Sequence, residues 1–383
     1  MKNTLVALAC GALAGAASAQ SSVTLFGTID TGVSYQSATA TDPTTGLTTR
    51  QSRTSLGNSG YGNSSLGLRG VEDLGGGLAA SFWLEAPLST DDGGSGGLSF
   101  TRRSTVSLSG AFGELRLGRD RTASSLNDTI FDPFGGNGSG ANLLGAVSLA
   151  DTGLATNYLR ASNMVSYFLP ATLGGFYGNV QYAAHENVDS STSLAGTSDA
   201  GRYTGGRFGY ANGPLDIALA SGQTVVTDNG SLTRTVRRSN LGASYDFGPV
   251  KLFGELSNVR DRSDTALASL GNNYNGYLIG ATVPVGPGLI RASYGQVRYD
   301  EGALAPLYGD APQSRKLSLG YVHNLSKRTA LYATVARISN RNDGAYTGSL
   351  SAAATTGYGA VGVGYSGLPK SSTGYDFGIR HNF

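Results

Sequence analysis

From Val23 onward the chain is a run of segments of about ten residues, separated alternately by short and long breaks. The short breaks are Asp73 to Gly77, Gly110 to Gly113, Ala171 to Gly175, Asn212 to Pro214, Phe247 to Pro249, Pro284 to Gly288 and Leu325 to Thr329. The long ones lie near Ser37 to Gly60, Ser89 to Gly97, Asp120 to Asn157, Asn187 to Ala200, Asp228 to Thr233, Asp264 to Asn273, Gly302 to Gln313 and Asn342 to Thr373. Fifteen connections imply sixteen strands, with tight turns at one end and loops at the other. That is the layout of a transmembrane β-barrel.

Residue alternation supports this layout. In the last segment Tyr375, Phe377, Ile379, His381 and Phe383 share one face, and Asp376, Gly378, Arg380 and Asn382 share the other. Leu317, Leu319 and Tyr321 oppose Lys316 and Ser318 in the same way. A period of two with apolar groups toward lipid and polar groups toward a wet lumen fits such a strand. The segment Ala330 to Ile338 does not decide between its faces.

Composition narrows the alternatives. Only 39% of residues are hydrophobic, while Gly numbers 58 and Tyr 20, which suits many strands and tight turns better than a thick soluble core. After the N-terminal segment no apolar stretch approaches the ~20 residues of a transmembrane helix. A membrane protein of this kind must therefore close into a barrel, the other structure that satisfies its backbone in lipid. Soluble sandwiches and β-solenoids also alternate. The export signal, the regular order of breaks and the aromatic chain end argue against them.

That signal is Met1-Lys2-Asn3, an apolar run from Leu5 to Ala17, and Ala17-Ser18-Ala19. It reads as a cleavable signal peptide over 1–19, leaving one barrel domain over 20–383. The single cysteine, Cys10, falls inside it, so cysteine chemistry is excluded from the mature chain. A formal net charge of +2 gives no excess of Lys and Arg for nucleic acid. Gly357 to Gly362 fits G-x-G-x-x-G but follows no buried strand and opens no helix, so it is no dinucleotide site. Three histidines, no G-x-S-x-G elbow and no H-E-x-x-H argue against a hydrolase, and no cofactor is expected. A barrel anchor or adhesin with a plugged lumen is the other reading, though no single loop is long enough to be a separate domain.

Several stretches resemble the general porins of β-proteobacteria, especially the anion-selective members. They are Ser22 to Gly27, Gly67 to Leu78, Phe82-Trp83-Leu84-Glu85, Arg102 to Gly110, Gly118-Arg119-Asp120, Tyr321 to Thr329 and Gly378 to Phe383, in colinear order. The resemblance implies a homotrimer of sixteen-stranded antiparallel barrels in the outer membrane, among lipid and lipopolysaccharide. It implies an inward-folded third outer loop, passive diffusion of small hydrophilic solutes with preference for anions, and a terminal Phe383 read by the outer-membrane assembly machinery.

It also implies a constriction. The candidate inward loop, Asp120 to Asn157, carries Asp128, Asp132 and Pro133-Phe134-Gly135-Gly136, similar to a Pro-acid-Phe-Gly-Gly constriction segment with proline and acid exchanged. Arg102 and Arg160 match wall-arginine positions, Glu85 an acidic wall position, and Ser65 stands where a third arginine would be. Parity independently places Arg160 with Ser162 and Ser166 on the polar face. Parity also favours Arg103, which shares a face with Thr105 and Ser107, whereas family position favours Arg102; Arg102 is preferred here, because a wall segment at a subunit contact need not show an apolar outer face. Arg69 and Arg53 are candidate replacements for the missing arginine. At about 6 Å in a water-like dielectric each arginine attracts an anion by roughly 0.7 kcal/mol.

Overall fold

The computed structural model describes residues 22–42, 45–94, 98–148, 152–187, 198–300, 312–341 and 368–383. The signal segment 1–19 and the glycine motif 357–362 lie outside them.

Seventeen β-strands follow one another in the described residues. They are β1 (Ser22–Thr41), β2 (Thr48–Asn58), β3 (Ser65–Gly75), β4 (Leu78–Pro87), β5 (Arg103–Gly110), β6 (Gly113–Arg121), β7 (Arg160–Phe168), β8 (Phe176–Ala183) and β9 (Tyr203–Asn212). The second half comprises β10 (Leu215–Asp228), β11 (Leu232–Asp246), β12 (Lys251–Thr265), β13 (Ser269–Val285), β14 (Gly288–Asp300), β15 (Gln313–Asn324), β16 (Thr329–Arg341) and β17 (Leu368–Asn382). Three short helices, α1 (Ala123–Ile130), α2 (Leu143–Ser148) and α3 (Thr152–Ala155), lie between β6 and β7.

Every neighbouring pair is antiparallel, and β17 returns to β1 with Thr28 opposite Asn382 and Tyr35 opposite Tyr375, so the sheet closes. The count of staves is sixteen, because β2 and β3 occupy one position. Thr31 to Thr41 of β1 pair with β2, and Ser22 to Thr28 pair with β3. Residues Ser59 to Ser64 interrupt that stave and turn inward. Asp30 holds the excursion. Its carboxylate accepts the Tyr332 hydroxyl at 2.6 Å and the amides of Tyr61 and Gly62 at 2.8 and 2.5 Å.

The period-two pattern sorts side chains as the sequence predicts. On β17 Phe377 is 60% exposed while Asp376 is 3% exposed; on β15 Leu317 is 62% exposed and Lys316 3%. Apolar groups that point away from the barrel cost nothing in a hydrocarbon layer, which is why this inside-out distribution is stable there. No described helix is long and apolar enough to cross a membrane. The tight turns need left-handed backbone: Gly75, Gly76 and Gly77 have φ of 82°, 61° and 81° between β3 and β4.

Two local expectations change. The long break at Ser37 to Gly60 is mostly strand, with only Asp42 to Leu47 between β1 and β2. Its Ser, Thr, Gln and Arg residues carry no apolar alternation by which a strand could be recognised. The undecided segment Ala330 to Ile338 turns Tyr332 and Ile338 inward and Leu331 and Val335 outward. Its inward face is apolar in part because Tyr61 packs on Tyr332, so that patch meets protein rather than water.

Candidate pore constriction

The described residues 122–148 and 152–159, within the third connection at the long-loop end, run along the inner face of the barrel. Helix α1 lies against β9, β10 and β11, and α2 against β13 and β14. The buried polar residues on the inward parity of those strands explain why. Asn240 of β11 donates to Asp128 at 2.7 Å, Asn142 donates to Glu255 of β12 at 2.8 Å, and Lys316 of β15 donates to the Ala141 carbonyl at 2.6 Å. Asp376 of β17 accepts the Ser139 amide at 2.6 Å and its hydroxyl at 3.0 Å. Arg291 of β14 stacks over both Phe134 and Tyr61, 4.6 Å from each ring centre.

The loop acids are therefore occupied. Asp132 accepts the amides of Phe134, Gly136 and Asn142 at 3.0, 2.8 and 3.0 Å. Burial pushes its carboxyl above the ordinary value, and those amides oppose the rise. Asp128 accepts the Tyr158 hydroxyl at 2.5 Å in addition to Asn240. Burial and the neighbouring Asp128 push the Tyr158 phenol up. Asp128 and Asp132 were expected to line the constriction; they are 6% and 4% exposed and instead shape the loop and fasten it to the wall. The exchange of proline and acid at 132–133 fits this inward capping role.

On the other side of the barrel the wall carries accessible charge. Glu85 of β4 accepts Arg102 Nε at 2.5 Å and the Trp83 indole at 3.2 Å. Arg103 lies opposite Glu85 in the register, hydrogen-bonds Thr105 at 3.2 Å, stacks over Trp83 at 4.5 Å and lies 3.8 Å from Asp120. Arg116 of β6 takes both Glu114 and Asp120, at 2.8 and 2.6 Å. Arg69 of β3 is exposed and sits over Phe26 and Trp83, 5.3 Å from each ring, with no ion pair to a described carboxylate. A cavity of about 470 Å³ opens between these groups, with Thr24, Arg69, Trp83, Arg103 and Arg116 in its lining.

Both arginines of the parity conflict thus approach Glu85. Arg103 does so from the inward face of β5. Arg102 precedes that strand, where alternation no longer applies, and reaches the same carboxylate from the loop. Ser65 stands on the inward parity of β3 and is covered, beside Glu85. Arg160 differs from the parity argument. A bulge at Ser162 and Asn163, where Asn163 has φ of 55°, shifts the register so that Ala161 shares the inward face with Met164. Arg160 instead donates to the Arg102 carbonyl at 2.6 Å from the root of the loop.

Sequence reasoning put Lys316 and Arg380 on the polar face but missed Arg291, and missed that all three fasten the loop and the inward excursion, Arg380 being stacked 4.2 Å from the Tyr61 ring. Their signal was available: each sits at an inward position of an alternating strand.

A closed membrane barrel with a loop pinned inside it and an open, charged bore beside that loop is a diffusion channel of the outer membrane. The comparisons agree. The chain belongs to the family of Gram-negative porins, whose profile matches residues 4–343. It is 42% identical to outer membrane porin protein 32 of Delftia acidovorans and 32% identical to an outer membrane porin protein of Bordetella pertussis, each over the full length of both chains. Its fold matches the solved anion-selective porin from Comamonas acidovorans with a TM-score of 0.74 and 38% identity, over 95% of this chain and 100% of that one. OmpT of Vibrio cholerae, at 14% identity and a TM-score of 0.63 over 96% of this chain and 100% of that one, shares the fold. The protein is an outer-membrane channel for passive diffusion, not an enzyme.

Proposed function

We propose that this channel prefers small anions, and that the preference is set on the wall of β3 to β6 opposite the inward loop. The carrying observation is the pattern of pairing. Arg102 is matched by Glu85, and Arg116 shares Glu114 and Asp120, with the latter only loosely shared with Arg103. Arg69 is left uncompensated among described groups, so four guanidinium groups face three carboxylates. With Asp128 and Asp132 turned into the protein, the acids that would oppose anions at the loop are withdrawn. Arg160 supports the site by holding the Arg102 backbone and adds a charge at the loop root. The anion selectivity of the Comamonas acidovorans porin supports the same reading.

The wider reading is a homotrimer in contact with outer-membrane lipid and lipopolysaccharide, exported through residues 1–19 and inserted by the assembly machinery that reads Phe383. A trimer form known for the similarly folded OmpT supports the assembly. Single-channel conductance and the reversal potential in a KCl gradient across a planar bilayer test the central claim. A reversal potential on the chloride side is expected; one on the potassium side rejects it.

A further inference from the structure

The bore-facing wall of β3 to β6 carries rings as well as charges. Trp83, the single tryptophan of the chain, has two guanidinium groups over its ring, Arg69 at 5.3 Å and Arg103 at 4.5 Å from the ring centre. Arg69 is also 5.3 Å from the ring of Phe26, which meets Trp83 edge-on at 4.9 Å. Further along, Arg116 covers Phe168 at 4.1 Å. The strand register assembles this stack, with Arg69 opposite Trp83, Trp83 opposite Thr105 and Ser107 opposite Arg116. Ser107 and Glu114 stand close to the tight turn between β5 and β6, so the stack lies toward the tight-turn end of the barrel.

The stack borders the cavity of about 470 Å³, a size usual for small-molecule sites. Among the described residues Arg69, Arg103 and Arg116 line it against one carboxylate, Glu114. That carboxylate is occupied, accepting Arg116 at 2.8 and 3.0 Å. Arg103 donates to Thr105 and lies 3.8 Å from Asp120, whereas Arg69 is exposed and has no described carboxylate partner. A guanidinium with a ring on one side keeps its N–H edge for a carboxylate and its other side for a second ring. A chloride ion uses the edge alone. A multiply charged anion gives up more hydration beside Trp83 than a single carboxylate does. A planar ring bearing one carboxylate uses both the edge and the side.

We propose that this cavity is a binding site for small aromatic carboxylates, with the carboxylate on Arg69 and the ring against the stacked guanidinium groups beside Trp83. The proposal rests on the anion preference of the same wall and adds the class of solute that the wall favours. The ring contact is of the cation–π kind, worth about two- to fivefold in affinity at an accessible site. Binding on that scale draws a solute in and still lets it leave, as conduction requires.

Trp83 supplies the readout, since all tryptophan fluorescence of the purified barrel in detergent comes from this site. Benzoate should quench it saturably, and cyclohexanecarboxylate and benzamide, which keep the size but lack the aromatic ring or the charge, are read by competition. Benzoate should bind about two- to fivefold more tightly than cyclohexanecarboxylate. Benzamide should bind about tenfold more weakly than benzoate, the scale of one lost charge-assisted hydrogen bond, and Arg69→Gln should weaken benzoate by the same factor. In planar bilayers, where block of the chloride current replaces fluorescence, Trp83→Phe should keep the preference for benzoate and Trp83→Leu should lose it. If Trp83→Leu does not fold, the titration of Arg69→Gln decides. Absence of saturable quenching, or unchanged benzoate affinity in Arg69→Gln, overturns the site. Equal binding of benzoate and cyclohexanecarboxylate overturns the aromatic class, and a reversal potential on the chloride side then leaves the anion preference standing. A reversal potential on the potassium side with benzoate binding that depends on Arg69 rejects the anion preference and sustains the site.

Discussion

An arginine that shares a carboxylate and one that does not act differently on a passing ion. Removing Arg69 subtracts a free positive charge, so Arg69→Ala should lower the anion-to-cation permeability ratio by about threefold at low salt, on the scale of roughly 0.7 kcal/mol. Arg102→Ala should lower it at least as much, because it also uncovers Glu85. Arg103→Ala should act similarly, since both arginines approach that carboxylate. Ser65→Arg supplies a third cation beside Glu85 and should raise the ratio. Reversal potentials in a salt gradient check all four, and the differences should shrink near 1 M salt, where the screening length is about 3 Å. Unchanged potentials throughout would reject the wall assignment. At this scale the sequence was legible only in part. Alternation pointed to Arg103, which does lie on the inward face of β5, and family position pointed to Arg102, which reaches Glu85 from the preceding loop. The bulge at Asn163 defeated alternation for Arg160, because one inserted residue exchanges the faces. The roles of Asp128 and Asp132 depended on which way the loop's carboxylates turn, and that is set by partners such as Asn240, more than 100 residues away in the chain.

The inward loop behaves as an element with fasteners. Asp376 alone takes the Ser139 amide, the Ser139 hydroxyl and the Ser34 hydroxyl, the last at 2.8 Å. Hydrogen bonds to a charged acceptor contribute about 1.5–3 kcal/mol each. Asp376→Ala should therefore free the loop tip, giving a larger and noisier single-channel conductance with the barrel intact in detergent. A conductance trace identical to that of the parent would show that the other fasteners suffice. The placing of elements was largely open to sequence: turns at Asp73 to Gly77 and Asn212 to Pro214 fall where glycine, proline and asparagine mark them, and the turn at Leu325 to Thr329 is a polar Ser-Lys-Arg stretch that follows Asn324. The excursion at Ser59 to Ser64 was not, since its cause is Asp30, a residue that looks like any other polar position of an alternating strand until its three partners are brought to it.

Across the whole molecule the first and last strands meet, with Gly27 and Phe383 exchanging backbone hydrogen bonds at 3.2 and 3.1 Å. Gly27 is the residue that permits this contact, because a Cβ there would collide with the Phe383 ring and the Ser65 carbonyl. Phe383→Ala should leave the inserted barrel stable while lowering the amount that reaches the outer membrane; a normal level on fractionation would reject the recognition role. The assembled protein should run as a trimer in unboiled detergent gels and as a monomer after boiling, whereas a monomeric mass by light scattering would reject the trimer. The pinned loop also divides the cylinder mechanically. From β9 to β17 the wall is backed by α1, α2 and the Asp132 turn, while from β3 to β6 it is a single sheet facing water. The side that carries Arg69, Arg102 and Arg103 is thus the one stretch of the described wall from β3 to β17 where nothing stands between the sheet and the bore, so a change of residue size there is felt directly in the width of the opening.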